Sequence, residues 1–169
     1  GWENLTAEPI LLRPGIPYLD RDPVHLRNTF NIEEELNKIL MEYVTDFEQL
    51  KPALIEWEEE SDPAVEVLIV AHGIVARAAK GAVENLKLQG WKVGYFRPIT
   101  VRPFPGEALR RVVSENPELK IVVVESAYGQ LLSIVKEELY GLSNTIASLL
   151  RPGVGITTEE IEATIVHLG

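Results

Sequence analysis

The chain has 169 residues, 16 basic against 26 acidic, a formal charge of −10 and no cysteine, which removes disulfides, thiolate metal sites, iron–sulfur ligation and cysteine nucleophiles. A chain of this length folds as one domain, or as one domain with an arm, and buries about two thirds of its unfolded surface without covalent staples. The acidity argues against nucleic acid as a partner, because phosphate affinity comes mainly from Lys and Arg.

The acidity is also unevenly placed. Residues 1–63 hold five basic side chains, Arg13, Arg21, Arg27, Lys38 and Lys51, against fifteen acidic ones, whereas residues 64–169 hold eleven of each. This predicts a boundary near residue 63, between an acidic arm with its helix and probable edge strand and an α/β domain over 64–169. The chain opens at Gly1 and its one methionine is Met41, so a piece of a longer protein is expected. Neither a long apolar run nor a basic-then-apolar leader is present, and the expectation is a soluble, cytoplasmic protein without a membrane partner.

Over residues 1–28, Pro9, Pro14, Pro17 and Pro23 stand among isolated apolar residues, which reads as an extended arm, either disordered or laid on a partner. From Ile32 the apolar residues recur at Leu36, Ile39, Leu40, Tyr43, Val44, Phe47 and Leu50, the spacing of one helix face. Glu33, Glu34 and Glu35 stand in its first turn, where the helix dipole favours acids. A helix over about 31–50 is predicted, ended by Pro52. Residues 53–58 read as a short edge strand or as a further helical turn. Glu58, Glu59, Glu60, Ser61, Asp62 and Pro63 read as a solvated boundary.

The β-branched run at 65–70, ending in Ala71, His72 and Gly73, suits a central strand covered on both faces. Residues 74–89 then read as a helix closed by Gly90, whose Ala76, Ala78, Ala79, Gly81 and Ala82 allow close approach to a sheet. A strand over 92–97 runs into a loop stiffened by Pro98, Pro103 and Pro105, and a helix over 105–115 begins with Pro105 in its first turn. The strand at 120–125 leads through Ser126, Ala127, Tyr128 and Gly129 into a helix over 130–140. Alternating strands and helices with short connections predict a parallel sheet wound by right-handed crossovers. Residues 144–149 supply a last strand, and Thr157 with Glu160 matches a capping box for a final helix to about His167. The predicted fold class is α/β, three layers (α/β/α) around a mostly parallel sheet of about five strands.

In such a sheet, ligands approach the carboxyl ends of strands where the winding changes direction. The candidate loops are therefore 72–75 and 126–130. His72 and Glu125 end two strands, and together would make an acid–base pair. The alternative is a His hydrogen-bonded within its loop and a Glu paired with a nearby Arg. Arg77, Arg97 and Arg102 suit a phosphate or carboxylate clamp, or else ion pairs within or between subunits. Tyr128, Gly129 and Gln130 make a turn into a helix. There is no phosphate-binding G-x-x-x-x-G-K-[ST] signature. His25 and His167 lie too far apart in the chain to suggest a three-His metal site with His72.

Several segments in fixed order resemble a known family: VEVLIVAHG at 65–73, the Ala-rich helix with Ala76, Ala79 and Lys80, residues 90–93, RPITVRPFP at 97–105, and Val123, Val124 and Glu125 followed by Gly129, Gln130 and Leu131. Together they look like the carboxyl-terminal part of the alpha subunit of 2-oxoacid:ferredoxin oxidoreductases, the pyruvate and 2-oxoglutarate synthase family, over about 64–141. Leu19, Asp20, Pro23 and Val24 with the acidic helix resemble the segment before this domain, and residues 156–161 are similar to the family's closing helix. The resemblance implies a transketolase carboxyl-terminal-like domain whose first, edge strand is antiparallel, which favours the strand reading of 53–58. It also implies oxidative decarboxylation of a 2-oxoacid to an acyl-CoA in the complete enzyme. Thiamine diphosphate, iron–sulfur clusters and CoA would be held by other domains or subunits, and electrons passed to ferredoxin. Two positions depart from the family pattern: Ile74 stands where a Ser or Thr is usual, so no hydroxyl caps the next helix there, and His72 replaces a commoner apolar residue or Tyr.

The expected function is thus a non-catalytic assembly domain that binds no cofactor itself, with His72, Gly73, Arg77, Arg97, Arg102, Glu125, Tyr128, Gly129 and Gln130 as candidate interface or ligand loops. The alternative is a free-standing module binding CoA or a nucleotide through the same loops. A third reading is a scaffold whose acidic arm meets a basic partner.

Overall fold

The computed structural model describes residues 32–168. The extended arm expected over 1–28, with His25, lies outside the described residues. The chain divides into two compact units, Gly1–Thr45 and Asp46–Gly169.

Helix α1, Glu33–Leu54, begins in the first unit with Glu33, Glu34 and Glu35 in its first turn and has no buried residue. It does not stop at the expected Pro52 but contains it. Proline costs a helix its i→i−4 bond, but here it sits in the last turn, and the Ile55 N–H still closes on the Lys51 carbonyl at 3.1 Å. Because α1 runs on to Leu54, the edge strand starts later than 53–58: β1 is Trp57–Glu60. The acidic run 58–60, expected to be a solvated boundary, is therefore a strand. Alternation sends its carboxylates to different cations: Glu58 to Arg97 at 3.2 Å, Glu59 to Arg111 at 2.7 Å and Glu60 to Lys87 at 2.5 Å.

The remaining elements alternate as predicted: β2 Val67–Ala71, α2 Val75–Leu88, β3 Val93–Pro98, α3 Gly106–Ser114, β4 Lys120–Glu125, α4 Gln130–Glu138, β5 Ile146–Leu150 and α5 Thr158–Leu168. The sheet order is β1-β3-β2-β4-β5. Only β1 runs antiparallel, against β3, and the other pairings are parallel. The sheet thus draws its first strand from before residue 63 and the rest from after it.

Every residue of β2 is buried, as a central strand with helices on both faces requires. One core lies between the sheet and α2 with α5, built on Ile69, Ala79, Ala82, Val83, Leu86, Ile161 and Ile165. The other lies under α3 and α4, built on Leu68, Val70, Leu109, Ile121, Val123, Leu131 and Val135. Each fully buried Val, Leu or Ile among them stabilises the fold by about 1.5–3 kcal/mol relative to exposure. The small residues Ala76, Ala79 and Ala82 of α2 are buried in the first of these cores. Tyr95 donates its hydroxyl to the Ala76 carbonyl at 3.1 Å, and burial pushes its phenol up to about 12. The capping box at α5 is present: the Glu160 N–H donates to Thr157 Oγ1 at 3.3 Å and the Thr157 N–H to Glu160 Oε2 at 2.9 Å.

Candidate functional site

From β2 the chain winds through α2 to β3 on one side, and from β3 through α3 to β4 on the other. The winding therefore reverses between β2 and β4, and the crevice at their carboxyl ends is where an open α/β sheet offers a ligand site. Ala71 is in register with Val124, which sets the 72–75 and 126–130 loops side by side. Both turn through left-handed glycines, Gly73 at φ +60 and Gly129 at φ +94, a conformation that side chains rarely adopt.

Glu125 is 1% exposed. Its carboxylate accepts the Leu131 N–H at 2.9 Å and the Leu132 N–H at 3.2 Å. A helix leaves its first N–H groups without partners inside the helix, and the residue before α4 is Gly129, which has no side chain to cap them. Glu125 supplies from the strand what the helix lacks locally, and its charge also suits the positive end of the dipole. The expected alternative partner, an Arg, is thus replaced by the α4 backbone. No hydrogen bond joins Glu125 to His72 among the described residues, and both oxygens of Glu125 are engaged by the α4 backbone.

The remaining candidates separate. His72 is half-buried and Arg77 exposed on α2, whose N-cap residue, Ile74, makes no side-chain cap bond. Ile74 is 83% exposed and Tyr128 84% exposed, so the crevice carries two bare apolar side chains on its rim. The Tyr128 N–H donates to Gln130 Oε1 at 2.8 Å, a contact that shapes the turn into α4. Arg97 lies opposite Glu58 across the β1–β3 pair and ion-pairs with it; its Nε is buried without a hydrogen-bond partner. Arg102 is exposed in the loop before α3. The structure therefore brings His72, Gly73, Glu125, Tyr128, Gly129 and Gln130 to one crevice, while Arg97 is turned to the edge strand.

Two features escape a reading of motifs. The capping role of Glu125 leaves only a faint mark, a strand-terminal acid followed by a helix that opens on glycine. The second is a cleft of about 550 Å³ bounded by the end of α1, β1, the proline loop and α3, with Trp57, Phe104, Arg111 and Glu138 among its lining. Burial in its wall, with Glu137 adding to the effect, holds the Glu138 carboxyl above the usual carboxylate range against the opposing charges of Lys51 and Arg110. Among the described residues there is no group of three or more His, Asp or Glu placed to hold a metal ion.

A five-stranded sheet of this order with an antiparallel first strand, and a switch-point crevice between its second and fourth strands, define a transketolase-like α/β domain. Solved structures share the fold: a split-gene transketolase, described as an inactive beta4 tetramer, superposes with a TM-score of 0.56 at 19% identity, over 66% of this chain and 41% of that one. The 2-oxoglutarate:ferredoxin oxidoreductase of Magnetococcus marinus superposes with a TM-score of 0.54 at 19% identity, over 67% of this chain and 19% of that one. Within that class the chain belongs to the family described as pyruvate:ferredoxin oxidoreductase core domain II, which matches residues 65–161. This agrees with the resemblance read from the motifs at 65–131. Among curated proteins, the 2-oxoglutarate synthase subunit KorA of Methanocaldococcus jannaschii is 37% identical over 98 residues, 58% of this chain and 25% of that protein. The ketoisovalerate oxidoreductase subunit VorB of Methanothermobacter marburgensis is 35% identical over 107 residues, 63% of this chain and 29% of that protein. The chain thus spans about a quarter of the length of these relatives.

Proposed function

We propose that the chain is a non-catalytic domain of the alpha subunit of a thiamine-diphosphate-dependent 2-oxoacid:ferredoxin oxidoreductase. It serves assembly, and shapes surfaces around an active site built by thiamine-binding and cluster-bearing domains or subunits in the cytoplasm. The observation that carries this reading is Glu125. The strand-end carboxylate in the switch-point crevice is buried and both its oxygens are bound to the α4 backbone, which favours a structural role for it over a catalytic one.

The chain's own residues do not fit the family's redox cofactors. Iron–sulfur ligation needs thiolates, and the sequence has none. No cluster-borne electron transfer is therefore assigned to this chain's own residues. The two relatives are named for different substrates, 2-oxoglutarate and ketoisovalerate, yet match this chain about equally. That supports a reading in which the choice of 2-oxoacid lies with other parts of the enzyme.

The test is direct. The purified 169-residue chain, given a 2-oxoacid, thiamine diphosphate, CoA and an artificial electron acceptor, is expected to show no 2-oxoacid-dependent reduction. Turnover sinks the non-catalytic assignment. The uncapped amino end of α2 beside Arg77 favours a second reading, a module that binds CoA or a nucleotide. Calorimetry separates the two: specific saturable binding of either ligand supports the module, and its absence supports the assembly domain.

A further inference from the structure

The two edges of the sheet are built differently. Along β1 stand Glu58, Glu59 and Glu60, each ion-paired within the chain, and a charged edge resists pairing with another copy of itself. At the other edge, β5 has the sequence IASLL, with no charge, no proline and a single neighbouring strand among the described residues.

The direction of its backbone groups follows from the ladder. The Ile121 N–H donates to the Thr145 carbonyl at 2.9 Å, and the Arg151 N–H to the Glu125 carbonyl at 3.1 Å. With the parallel register of Ile121 on Ile146, alternation turns the N–H and C=O groups of Ala147 and Leu149 toward β4 and those of Ile146, Ser148 and Leu150 outward. None of these outward groups has a hydrogen-bond partner among the described residues.

The edge is also held in place at both ends. Before it, the Asn144 side-chain amide donates to the carbonyls of Asn116, Pro117 and Leu119 at 3.1, 3.1 and 3.0 Å. After it, the Arg151 guanidinium pairs with Glu160. A rigid template loses little conformational freedom when a strand is added to it.

We propose that β5 pairs antiparallel with β5 of a second copy of this chain, Ser148 opposite Ser148 and Ile146 opposite Leu150, so that one sheet continues across a two-fold axis. The edge is complementary to itself. The outward groups are centred on Ser148, so reversing the strand about that residue places each donor opposite an acceptor. The strand carries no charge that would repel its copy, and its four apolar residues are only half-buried. Addition of β5 to β1 would instead be head-to-tail, set the edges against Glu58–Glu60, and generate an open fibre. A five-residue edge lies at the small end of interface sizes, below roughly 1,200 Å², so the association is concentration-dependent. This inference does not rest on the proposed function.

The experiment combines light scattering with a cysteine probe. The chain is expected to move from monomer to dimer as its concentration rises. Ser148→Pro removes an outward N–H without touching the β4 ladder, and is expected to hold the chain monomeric with an unchanged far-ultraviolet circular dichroism spectrum. Ser148→Cys places a thiol in a chain that otherwise has none. In the proposed pair the two Cα atoms stand about 5.5 Å apart, within disulfide reach, so mild oxidation is expected to trap a covalent dimer, and Ser114→Cys on α3 is not. A chain that stays monomeric with no Ser148→Cys dimer overturns the proposal. So does a dimer that folded Ser148→Pro leaves intact. Should Ser148→Pro fail to fold, the cysteine pair alone decides.

Discussion

Two carboxylates show how residue environment, not residue type, sets a role. Glu125 is buried against the amino end of α4 and accepts two N–H groups. Removing it strands those donors in the interior, where an unsatisfied group costs about 1–3 kcal/mol. Glu125→Ala is therefore expected to lower the free energy of unfolding by roughly 3 kcal/mol in urea titration, and Glu125→Gln, which keeps the shape and one oxygen acceptor, by less. A loss no larger for Ala than for Gln would mean that the cap contributes little.

Glu138 is the opposite case. Its carboxyl packs against Gly106 at the start of α3 and is held above its ordinary value of 4.5 chiefly by burial. A folded-state pKa above the unfolded one makes the contribution to stability complete below about 4.5 and lost as pH rises through the folded value. Glu138→Gln removes that loss. The variant is expected to melt above the wild type at neutral pH, and the difference to close as pH falls below the ordinary carboxylate value. A difference that does not vary with pH would assign the effect to packing.

Among the elements, α1 stands apart. Its stripe of Leu36, Leu40, Tyr43, Val44 and Leu50 follows helical spacing, yet all five are exposed and the helix buries no residue. Its apolar face therefore adds little to the stability of this chain by itself. Leu40→Gln and Val44→Gln are each expected to change the unfolding free energy by no more than about 0.5 kcal/mol, as for ordinary surface positions. A larger loss in chemical denaturation would show that the face is packed in solution. The neighbouring strand β1 makes the converse point. A run of three glutamates looks like a linker, but neighbouring side chains of a strand point to opposite faces, and here each finds a separate cation.

At the scale of the whole molecule, the charge of −10 says less about ligand or fold than its magnitude suggests. Residues 64–169 are balanced, and part of the earlier acidity is neutralised pairwise along β1. No helix among the described residues is long and apolar enough to cross a membrane. What was legible in the sequence was local: the alternation of strands and helices from residue 65, the Gly90 helix end, the capping box of Thr157 and Glu160, and the ordered motifs of the family. Each is built from patterns of a few residues, where side-chain periodicity and backbone preference act directly, repeated or ordered along the chain. What only the tertiary structure decided was non-local. The partner of Glu125 depends on how α4 lies against β4. The pairing of Glu58, Glu59 and Glu60 depends on the docking of β1 beside β3, with up to 52 residues between partners. The open outward edge of β5 depends on strand order. No sequence window contains such pairings, because they are set by which buried faces meet when the sheet closes over its two cores.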